Sequence, residues 1–433
     1  MGGYKYMNIK DILVLAYQLS PTKGSEYSVA WNYVLRMSKY NNHLTVLYGA
    51  SGEHLGDCKE MQQFARENSL ANVTFICVEP NTWTNILNWC NRQGFLNYTF
   101  YFAYNHWQKQ VYKVVKELLQ NQHFDLIHFV GPTGFREPGY LWNLNIPYVW
   151  GPIGGANSNN MILAKHLSLM SKMKFWIRNG LNQLQLKYQR RLRKAVKNTD
   201  LLLTATSENQ KIFKSLLNKT NRYLPENAIT NPTKIDQEKF DAPDKFHFVF
   251  VGSLIPRKAL NILLEALVLI TNKDRIIVDI VGDGPMRAKL MSFAQLHDIG
   301  GFIRWHGQLP RLEAVAILGK AHMHVITSTS EGNPTTIWEA MSYGVPTMSF
   351  DHCGMHDTIC DKCGILIPIH TYDQCVHDLA KEIDNLINHP ERFKQLAEGV
   401  LQCAKKYSWD EREKIILDCY DAAIKNHNCR CIK

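Results

Sequence analysis

Residues 324–350 read H-V-I-T-S-T-S-E-G-N-P-T-T-I-W-E-A-M-S-Y-G-V-P-T-M-S-F, and this stretch decides the fold. Its two ends are short apolar runs that predict β-strands. Between them Asn333 and Pro334 suit the N-cap and the first position of a helix, and Gly344 suits a left-handed C-terminal cap. A strand, a helix and a strand in this order predict parallel strands joined by a right-handed crossover.

The same alternation of apolar runs and helical patterns continues along the chain in both directions. A polar stretch with two prolines, residues 230–245, interrupts it and predicts a linker. We therefore expect an α/β protein with two doubly wound, Rossmann-like parallel-sheet domains facing each other across a cleft. The predicted strands lie at 11–17, 43–49, 73–78, 124–130, 146–151, 201–206, 246–252, 275–282, 302–307, 324–328, 345–350 and 364–369. The predicted boundaries are 1–229 for the first domain, 230–245 for the linker, 246–407 for the second domain and 408–433 for a C-terminal helix that crosses back to the first.

Composition narrows the class of protein. Of the 433 residues 45% are hydrophobic and 20% charged, which excludes a disordered or fibrous chain. No window approaches the ~18 uninterrupted apolar residues of a membrane-spanning helix. The eleven cysteines are odd in number and lack framework spacing, as expected of reduced thiols. We therefore expect a cytoplasmic protein.

The net charge of +10 is concentrated in residues 161–197, which contain ten Lys or Arg and no Asp or Glu. Such a run is either a solvated helix face or a surface that attracts phosphate groups. No helix-turn-helix, zinc-finger or RNP pattern accompanies it, so we expect no nucleic acid partner. Residues 83–112 are rich in aromatic side chains, which form either a core stripe or an insertion into a membrane interface. Together the two segments predict an anionic membrane surface as a partner, on the inner face of the cytoplasmic membrane.

The helix predicted within 324–350 also predicts an anion site. The backbone N–H groups of Thr335 and Thr336 lie at its positive end, where anions are stabilised. Glu331 precedes that end and Glu339 projects from the second turn. Carboxylates that frame a phosphate-binding helix start indicate a phosphorylated ligand with hydroxyl groups. The alternative is a capped helix with one surface Glu and one paired, buried Glu.

The spacing Glu331-x7-Glu339, within E-G-N-P-T-T-I-W-E-A-M-S-Y-G-V-P, resembles the donor signature of the retaining glycosyltransferases of family 4, which have the GT-B fold. Further segments also resemble the family, and two of them, 134–142 and 149–155, resemble a bacterial branch that builds surface polysaccharides. These segments are F-V-G-S-L-I-P-R-K-A-L-N-I-L-L-E-A-L (250–267), I-V-G-D-G-P (280–285), W-H-G-Q-L-P (305–310), D-H-C-G-M-H-D-T-I (351–359), S-P-T-K-G-S-E (20–26), G-F-R-E-P-G-Y-L-W (134–142) and V-W-G-P-I-G-G (149–155).

The resemblance implies a role for each matching residue. Glu339 would hold the ribose hydroxyls, and Glu331 would lie beside the transferred sugar. Lys258, with Arg257 before it, would neutralise the leaving diphosphate; at a predicted helix start these cations oppose the dipole unless an anion is present. The resemblance also places on the donor side Gly24, Ser25, Ser253, Gly282, Gly284, Gln308, Gly332, Asn333, Pro334, Thr335 and Thr336.

Two departures from the family concern single positions. Relatives often carry Arg where this chain has Ser253, and Arg257 is the substitute that the sequence offers. Some relatives also place a His two residues after a strand-ending His, which here is His128, and that later His is absent. His128 is therefore either structural or an acceptor-side contact. Arg136 and Glu137 follow a predicted strand end and are either acceptor-side residues or a surface ion pair.

The sequence predicts transfer without a metal ion. Glycosyltransferases of the other common fold use Asp-x-Asp to bring a divalent cation to the diphosphate, and none of the twenty Asp residues here has another two positions away. A zinc site is the alternative, because Cys360-x2-Cys363 has ligand spacing and lies near His352, Cys353 and His356. A second Cys-x2-Cys is missing, so we expect neither a metal nor a cofactor.

Together these features predict a retaining, metal-independent glycosyltransferase of the hexosyltransferase type. It would move a sugar from a nucleotide diphosphate to a hydroxyl of a glycan, with a lipid-linked acceptor, in capsule, O-antigen or exopolysaccharide synthesis. The alternatives are a nucleotide-sugar epimerase of GT-B architecture and a non-catalytic protein that binds nucleotide sugars.

Overall fold

The computed structural model describes residues 11–24, 26–40, 43–68, 70–94, 99–229, 238–240 and 243–431. Within this part of the chain the strands form two parallel sheets, one of seven strands and one of six. Most connections between consecutive strands of a sheet contain an α-helix, whereas residues 132–147 contain one 3-10 turn, Leu141–Asn143. The chain therefore has two Rossmann-like α/β units, as predicted.

The first sheet has the order β3-β2-β1-β4-β5-β6-β7. Six of its strands confirm the predicted positions. The seventh, Asn221-Arg222-Tyr223, was missed because it is short and carries no apolar run. The strands are β1 (Asp11–Ala16), β2 (His43–Tyr48), β3 (Val73–Cys77), β4 (Leu126–Gly131), β5 (Tyr148–Ile153), β6 (Leu201–Thr204) and β7 (Asn221–Tyr223). The helices of this part of the chain are α1 (Glu26–Met37), α2 (Lys59–Glu67), α3 (Thr82–Arg92), α4 (Phe100–Leu118), α5 (Leu169–Tyr188), α6 (Arg190–Asn198) and α7 (Ser207–Leu217).

The second sheet has the order β10-β9-β8-β11-β12-β13, and all six strands lie where the sequence predicts them. The strands are β8 (Phe246–Val251), β9 (Ile276–Val281), β10 (Ile303–Gly307), β11 (Met323–Ile326), β12 (Thr347–Phe350) and β13 (Gly364–Ile367). The helices are α8 (Leu260–Leu269), α9 (Arg287–Leu296), α10 (Arg311–Lys320), α11 (Thr335–Ser342), α12 (Cys353–Thr358), α13 (Tyr372–Asn388), α14 (Glu391–Lys406) and α15 (Trp409–Cys431).

Contacts divide the chain into two compact units whose limits differ from the predicted boundaries. The first unit comprises Met1–Ala156, Gln183–Glu226 and Arg412–Lys433; the second comprises Asn157–Asn182 and Asn227–Glu411. The segment Asn157–Asn182 was expected in the first domain, but its partners lie in the second unit. For example, Lys165 Nζ is 2.7 Å from the Asp373 carboxylate. Most of α15 lies in the first unit, where the Glu413 carboxylate accepts a hydrogen bond from Tyr40 Oη at 2.7 Å.

Each unit has its own hydrophobic core. In the second unit Phe246, Phe248 and Phe250 of β8 pack with the buried face of α13. In the first unit Trp107 of α4 and Trp150 of β5 are fully buried. Helices cover both faces of a parallel sheet, so large apolar side chains of its strands are buried. No helix in the described part of the chain is long and apolar enough to cross a membrane.

Candidate active site

The candidate site of the second unit lies where the strand order reverses. Strands β8 and β11 are neighbours, while β9 follows on one side and β12 on the other. Ligands of open α/β sheets bind at the carboxyl ends of strands at such a switch point. Arg257 and Lys258 follow β8, and Glu331 follows β11. The topology thus brings the predicted cations and the predicted carboxylate to one edge of the sheet.

Glu331 is the centre of a charged cluster. Its Oε1 lies 2.6 Å from Lys258 Nζ and 2.8 Å from Arg257 Nη1, and it accepts a hydrogen bond from Ser328 Oγ at 2.8 Å. Burial alone would raise the pKa of Glu331, but Lys258 and Arg257 hold that pKa below its usual value. Two cations therefore face one buried carboxylate, and the cluster carries a net positive charge.

The turn that carries Lys258 begins the connection from β8 to α8. Pro256–Lys258 form one 3-10 turn, and Ala259 takes a left-handed conformation with φ 46°. The predicted helix start at Lys258 is therefore wrong by two residues, because α8 begins at Leu260. Arg257 also anchors the loop after β11, since its Nη1 donates to Ser330 O at 2.8 Å and its own carbonyl accepts from Thr329 N at 2.8 Å.

Glycines allow the loops after β8 and β9 to meet. Gly282 has φ 131°, and a Cβ there would lie 2.1 Å from Gly252 O. A Cβ on Gly284 would lie 2.7 Å from Leu254 O. A side chain at either position would collide with backbone, so both must be glycine. Ser253, the position where relatives often carry Arg, is exposed between these loops.

Helix α11 begins at Thr335 with Pro334 at the N-cap position and no side-chain cap hydrogen bond. The prediction that Asn333 caps this helix is wrong, because its Oδ1 accepts from Trp338 Nε1 at 2.6 Å instead. The first N–H groups of a helix have no partner within it, so this start can donate hydrogen bonds to an anion. Its other end agrees with the prediction, since Gly344 has φ 67°.

Glu339 faces a partner that the sequence analysis missed. Its Oε1 lies 2.9 Å from both Nε and Nη2 of Arg311, the first residue of α10. Burial raises the pKa of Glu339, and Arg311 opposes that rise only in part. A cation at the first position of a helix opposes the dipole, and this signal could have drawn attention to Arg311. Gln308, three residues earlier, is exposed.

The loop around Gly332 packs tightly against α12. Gly354 N donates to Glu331 O at 3.3 Å, and a Cβ on Gly354 would lie 1.6 Å from Gly332 O. Asn157, which the sequence analysis also missed, donates from Nδ2 to Ser330 Oγ at 3.3 Å and Cys353 Sγ at 3.1 Å. Nothing in the local sequence marks Asn157, because its partners lie far along the chain.

The remaining predicted residues belong to the first unit. Gly24 is partly exposed ahead of α1, and Ser25 lies outside the described residues. Glu26, next to them, accepts a hydrogen bond from Thr133 Oγ1 at 3.0 Å. Burial, opposed by this bond, raises the pKa of Glu26.

His128 is fully buried in β4. Its Nε2 donates to Gly151 O at 2.7 Å, and its Nδ1 accepts from the hydroxyls of Tyr33 at 2.8 Å and Tyr420 at 3.0 Å. Burial lowers the pKa of His128 to about 4, although the bond to Gly151 O opposes this. These contacts fit the structural interpretation of His128 rather than the acceptor-side one.

Arg136 and Glu137 do not form the ion pair that was the alternative to an acceptor-side role. Glu137 pairs instead with Arg191 and accepts from Asn105 Nδ2 at 3.1 Å. Arg191, part of the basic run, also donates to Tyr140 Oη at 2.9 Å. Arg136 lies over the Phe135 ring, 5.3 Å from its centroid.

Comparison with known proteins gives matches in the second unit. Residues 232–400 match the family model of glycosyl transferases group 1. An uncharacterized glycosyltransferase of Methanocaldococcus jannaschii is 24% identical over 304 residues, 69% of this chain and 76% of the relative.

Two further proteins extend the comparison. The D-inositol 3-phosphate glycosyltransferase of Streptomyces bingchenggensis is 27% identical over 197 residues, and the match spans 43% of this chain and 42% of the relative. The Anabaena protein HepE, solved in complex with UDP and glucose, has a TM-score of 0.59 at 14% identity and covers 95% of this chain and 100% of its own. The structural match shows the fold, and the family model and the curated relatives support a glycosyltransferase.

Proposed function

We propose that this protein is a retaining glycosyltransferase that moves a sugar from a nucleotide diphosphate to a hydroxyl of a glycan. One observation carries the proposal: the Glu331, Lys258 and Arg257 cluster lies at the switch point of the sheet in the segment that matches the group 1 glycosyl transferase model. Because that cluster has more positive than negative charge, it suits a diphosphate better than a neutral ligand. A capsule, O-antigen or exopolysaccharide acceptor, lipid-linked, is the acceptor class to which the sequence resemblance points.

In this mechanism the leaving diphosphate is stabilised by the chain itself. Lys258, Arg257 and the open start of α11 supply positive charge where negative charge develops on the departing phosphate. Glu331 occupies the cations before the donor arrives and would lie beside the transferred sugar afterwards. The departing phosphate oxygen would take the proton of the incoming hydroxyl on the same face of the sugar, and this route retains the configuration.

The nucleoside would be held by Glu339. Its carboxylate is an acceptor suited to the two ribose hydroxyls, and Arg311 holds it in place at 2.9 Å. HepE, a structural neighbour, was solved with UDP and glucose. We therefore propose a uridine diphosphate sugar as the first donor to test.

A panel of nucleotide sugars tests this proposal. A donor at 100 times its Kd should stabilise the chain by about 2.7 kcal/mol, which thermal unfolding can detect. The stabilising donor should then be consumed, with or without acceptor, and NMR of the transferred sugar should show the anomeric configuration of the donor. Inverted configuration contradicts retention, an isomeric nucleotide sugar indicates an epimerase, and saturable binding without turnover indicates a binding protein.

We further propose that α5 attaches the protein to an anionic membrane. Eight large apolar side chains of this helix are 44% exposed or more. At about 100° per residue they fall within an arc of about 140°; Lys172 and Lys174 border that arc on its two sides, and the exposed Lys187 lies within it. An apolar face flanked by cations is typical of a helix that lies in a membrane interface. The eight side chains are Leu169, Met170, Met173, Trp176, Ile177, Leu181, Leu184 and Tyr188.

Some aromatic residues of segment 83–112 are buried in the core and others are exposed, so the core interpretation and the membrane interpretation each apply to part of it. Tyr104 and Trp107 are core residues, 1% and 0% exposed, whereas Trp83 and Phe102 are 67% and 69% exposed. Phe95 and Tyr98 of this segment lie outside the described residues. The exposed members supplement α5 in the proposal as a second point of apolar insertion.

Vesicle sedimentation tests the membrane proposal. Each Lys near an anionic surface contributes about 1 kcal/mol, so the double variant Lys172→Glu, Lys174→Glu should release the protein from anionic vesicles. Trp176→Ser should remove the part of the binding that resists salt. Lys289→Glu on α9 is the matched control and should sediment like the parent. Equal sedimentation with neutral and anionic vesicles, or none with either, would contradict the proposal. Arg191 is left out of the variants because it pairs with Glu137.

A further inference from the structure

Three cysteines of the second unit converge, although they are far apart in the sequence. Cys360 and Cys363 lie in the turn between α12 and β13, and Cys403 lies near the end of α14. Cys360 Sγ is 3.5 Å from Cys363 Sγ and 3.5 Å from Cys403 Sγ. All three sulfur atoms lie within 4.8 Å of one another. We propose that Cys360, Cys363 and Cys403 bind one thiophilic metal ion, Zn²⁺, as a structural site.

The sulfur separations fit a metal ion better than a disulfide. A disulfide needs sulfur atoms about 2.05 Å apart, and these thiols are free. A tetrahedral Zn²⁺ with Zn–S bonds of about 2.3 Å places its sulfur ligands about 3.8 Å apart. The observed contacts need only a small expansion to reach that value.

The backbone of the Cys360–Cys363 turn already contacts one of its sulfur atoms. The backbone N–H of Cys360 donates to Cys363 Sγ at 3.4 Å. Cys363 N and Gly364 N donate to Cys360 O at 2.9 and 3.0 Å, which closes the turn. Backbone donors aimed at a sulfur atom stabilise its thiolate, which is the form that binds metal.

The ligand set differs from the zinc alternative considered from the sequence. His352 Nε2 donates to Ser328 O at 3.0 Å, and His356 Nδ1 lies 2.6 Å from the Asp351 carboxylate. These two histidines form hydrogen bonds or ion pairs within the loops around them, so we do not include them as ligands. The third ligand is instead Cys403 of α14. Three thiolates would displace three protons on binding Zn²⁺, and the exposed side at Cys360 leaves the fourth position to water.

Such a site would anchor the scaffold behind α11. Cys363 belongs to a buried cluster with Ile337, Trp338 and Met341 of α11, and Cys403 packs against it. The Trp338 ring also meets the Tyr407 ring edge to face, with centroids 5.3 Å apart. The metal would tie the turn before β13 to α14 across this cluster, so its role is stability rather than chemistry. The inference does not depend on the proposed function.

Cobalt titration of the reduced full-length chain tests the site without any substitution. Co²⁺ should give a thiolate charge-transfer band and intense visible bands of tetrahedral geometry, at one ion per chain, and Zn²⁺ should displace it. Absence of the thiolate band would overturn the proposal. A Cys360–Cys403 or Cys360–Cys363 disulfide in a chain purified without added oxidant would also overturn it and indicate a redox pair.

Matched variants locate the ligands. Cys403→Ser should lower the Co²⁺ affinity by more than the about 10–100-fold that loss of a second-shell partner costs. Cys375→Ser on α13 removes a buried thiol outside the cluster and should leave the titration unchanged. Zn²⁺ should raise Tm of the parent chain and the control but not of Cys403→Ser. Equal affinity and equal Tm shifts in all three proteins would contradict the assignment of Cys403.

Discussion

Strands β4 and β11 occupy the same position in their respective sheets, but the polar residues that belong to them or follow them differ in charge. In the second unit Glu331, Lys258 and Arg257 form a charged cluster in the loops after β8 and β11. In the first unit β4 carries His128, which is neutral and buried under two tyrosine hydroxyls. One topology thus supports a charged cluster in one unit and a buried neutral contact in the other, because the loops and not the strands supply the charges.

The largest effect is expected at Lys258. Lys258→Met removes a cation from the proposed diphosphate site and leaves Arg257 alone with Glu331. Loss of one group that stabilises developing charge costs about 10²–10³ in kcat, and steady-state kinetics of donor hydrolysis would measure it. Lys289→Met, on the exposed face of α9, is the control and should keep the parent rate. An unchanged kcat in Lys258→Met would show that the charged cluster does not give the second unit the catalytic role proposed for it.

Glu331→Gln should separate binding from turnover. In this variant no carboxylate competes with phosphate for Lys258 and Arg257. UDP should therefore bind at least as tightly as it binds to the parent. The rate should nevertheless fall, because no carboxylate would remain beside the transferred sugar. Calorimetry with UDP and single-turnover rates measure the two quantities separately. Weaker UDP binding with an unchanged rate would contradict the role given to Glu331.

Glu339→Gln should weaken donor binding through the lost ribose hydrogen bonds. A hydrogen bond to a charged group is worth about 1.5–3 kcal/mol, which corresponds to about 10- to 100-fold in Kd. Glu313→Gln on the exposed face of α10 is the matched control. Arg311→Met should raise the pKa of Glu339 further, because burial already raises it and the opposing charge would be gone. Donor binding by Arg311→Met should therefore weaken at mildly acidic pH more than that of the parent.

The buried histidines predict how acid acts on each unit. Burial lowers the pKa of His128 to about 4 in the first unit, and of His322 to about 4 and His324 to about 3 in the second. A histidine with a lowered folded-state pKa binds its proton mainly in the unfolded state. Its stabilisation is therefore complete above the unfolded pKa of about 6.5 and is lost as the pH falls toward the folded value.

Each such histidine should lower the free energy of unfolding by about 1.4 kcal/mol per pH unit in that window. His128→Gln should remove one such contribution from the pH dependence of urea unfolding. His128→Gln should leave the kinetics of donor hydrolysis unchanged. A large loss of turnover in His128→Gln would instead favour the acceptor-side role.

Local signals in the sequence predicted what depends on local structure. Strand positions followed from apolar runs, and the proximity of Lys258 to Glu331 followed from their places after β8 and β11. Long-range partners had no such signal: Arg311 reaches Glu339 from another helix, and Cys403 reaches Cys360 across 43 residues. Asn333 was misjudged for a related reason, because its amide satisfies the buried Trp338 indole instead of the helix end.

The smallest effect is expected from chelation, which should leave the rate of transfer unchanged. In the proposed mechanism, Arg257, Lys258 and the start of α11 would supply the positive charge that a divalent cation supplies in enzymes with Asp-x-Asp. Treatment with EDTA should therefore preserve initial rates measured well below Tm, and Mg²⁺ or Mn²⁺ should not raise them. If the cysteine site holds Zn²⁺, the same treatment should lower Tm, and Zn²⁺ should restore it. The two readouts are independent, because the sulfur atoms lie behind α11 and the cations lie at its start. A rate that is lost in the folded chain and restored by Mg²⁺ would contradict the metal-free mechanism while leaving the zinc site untouched.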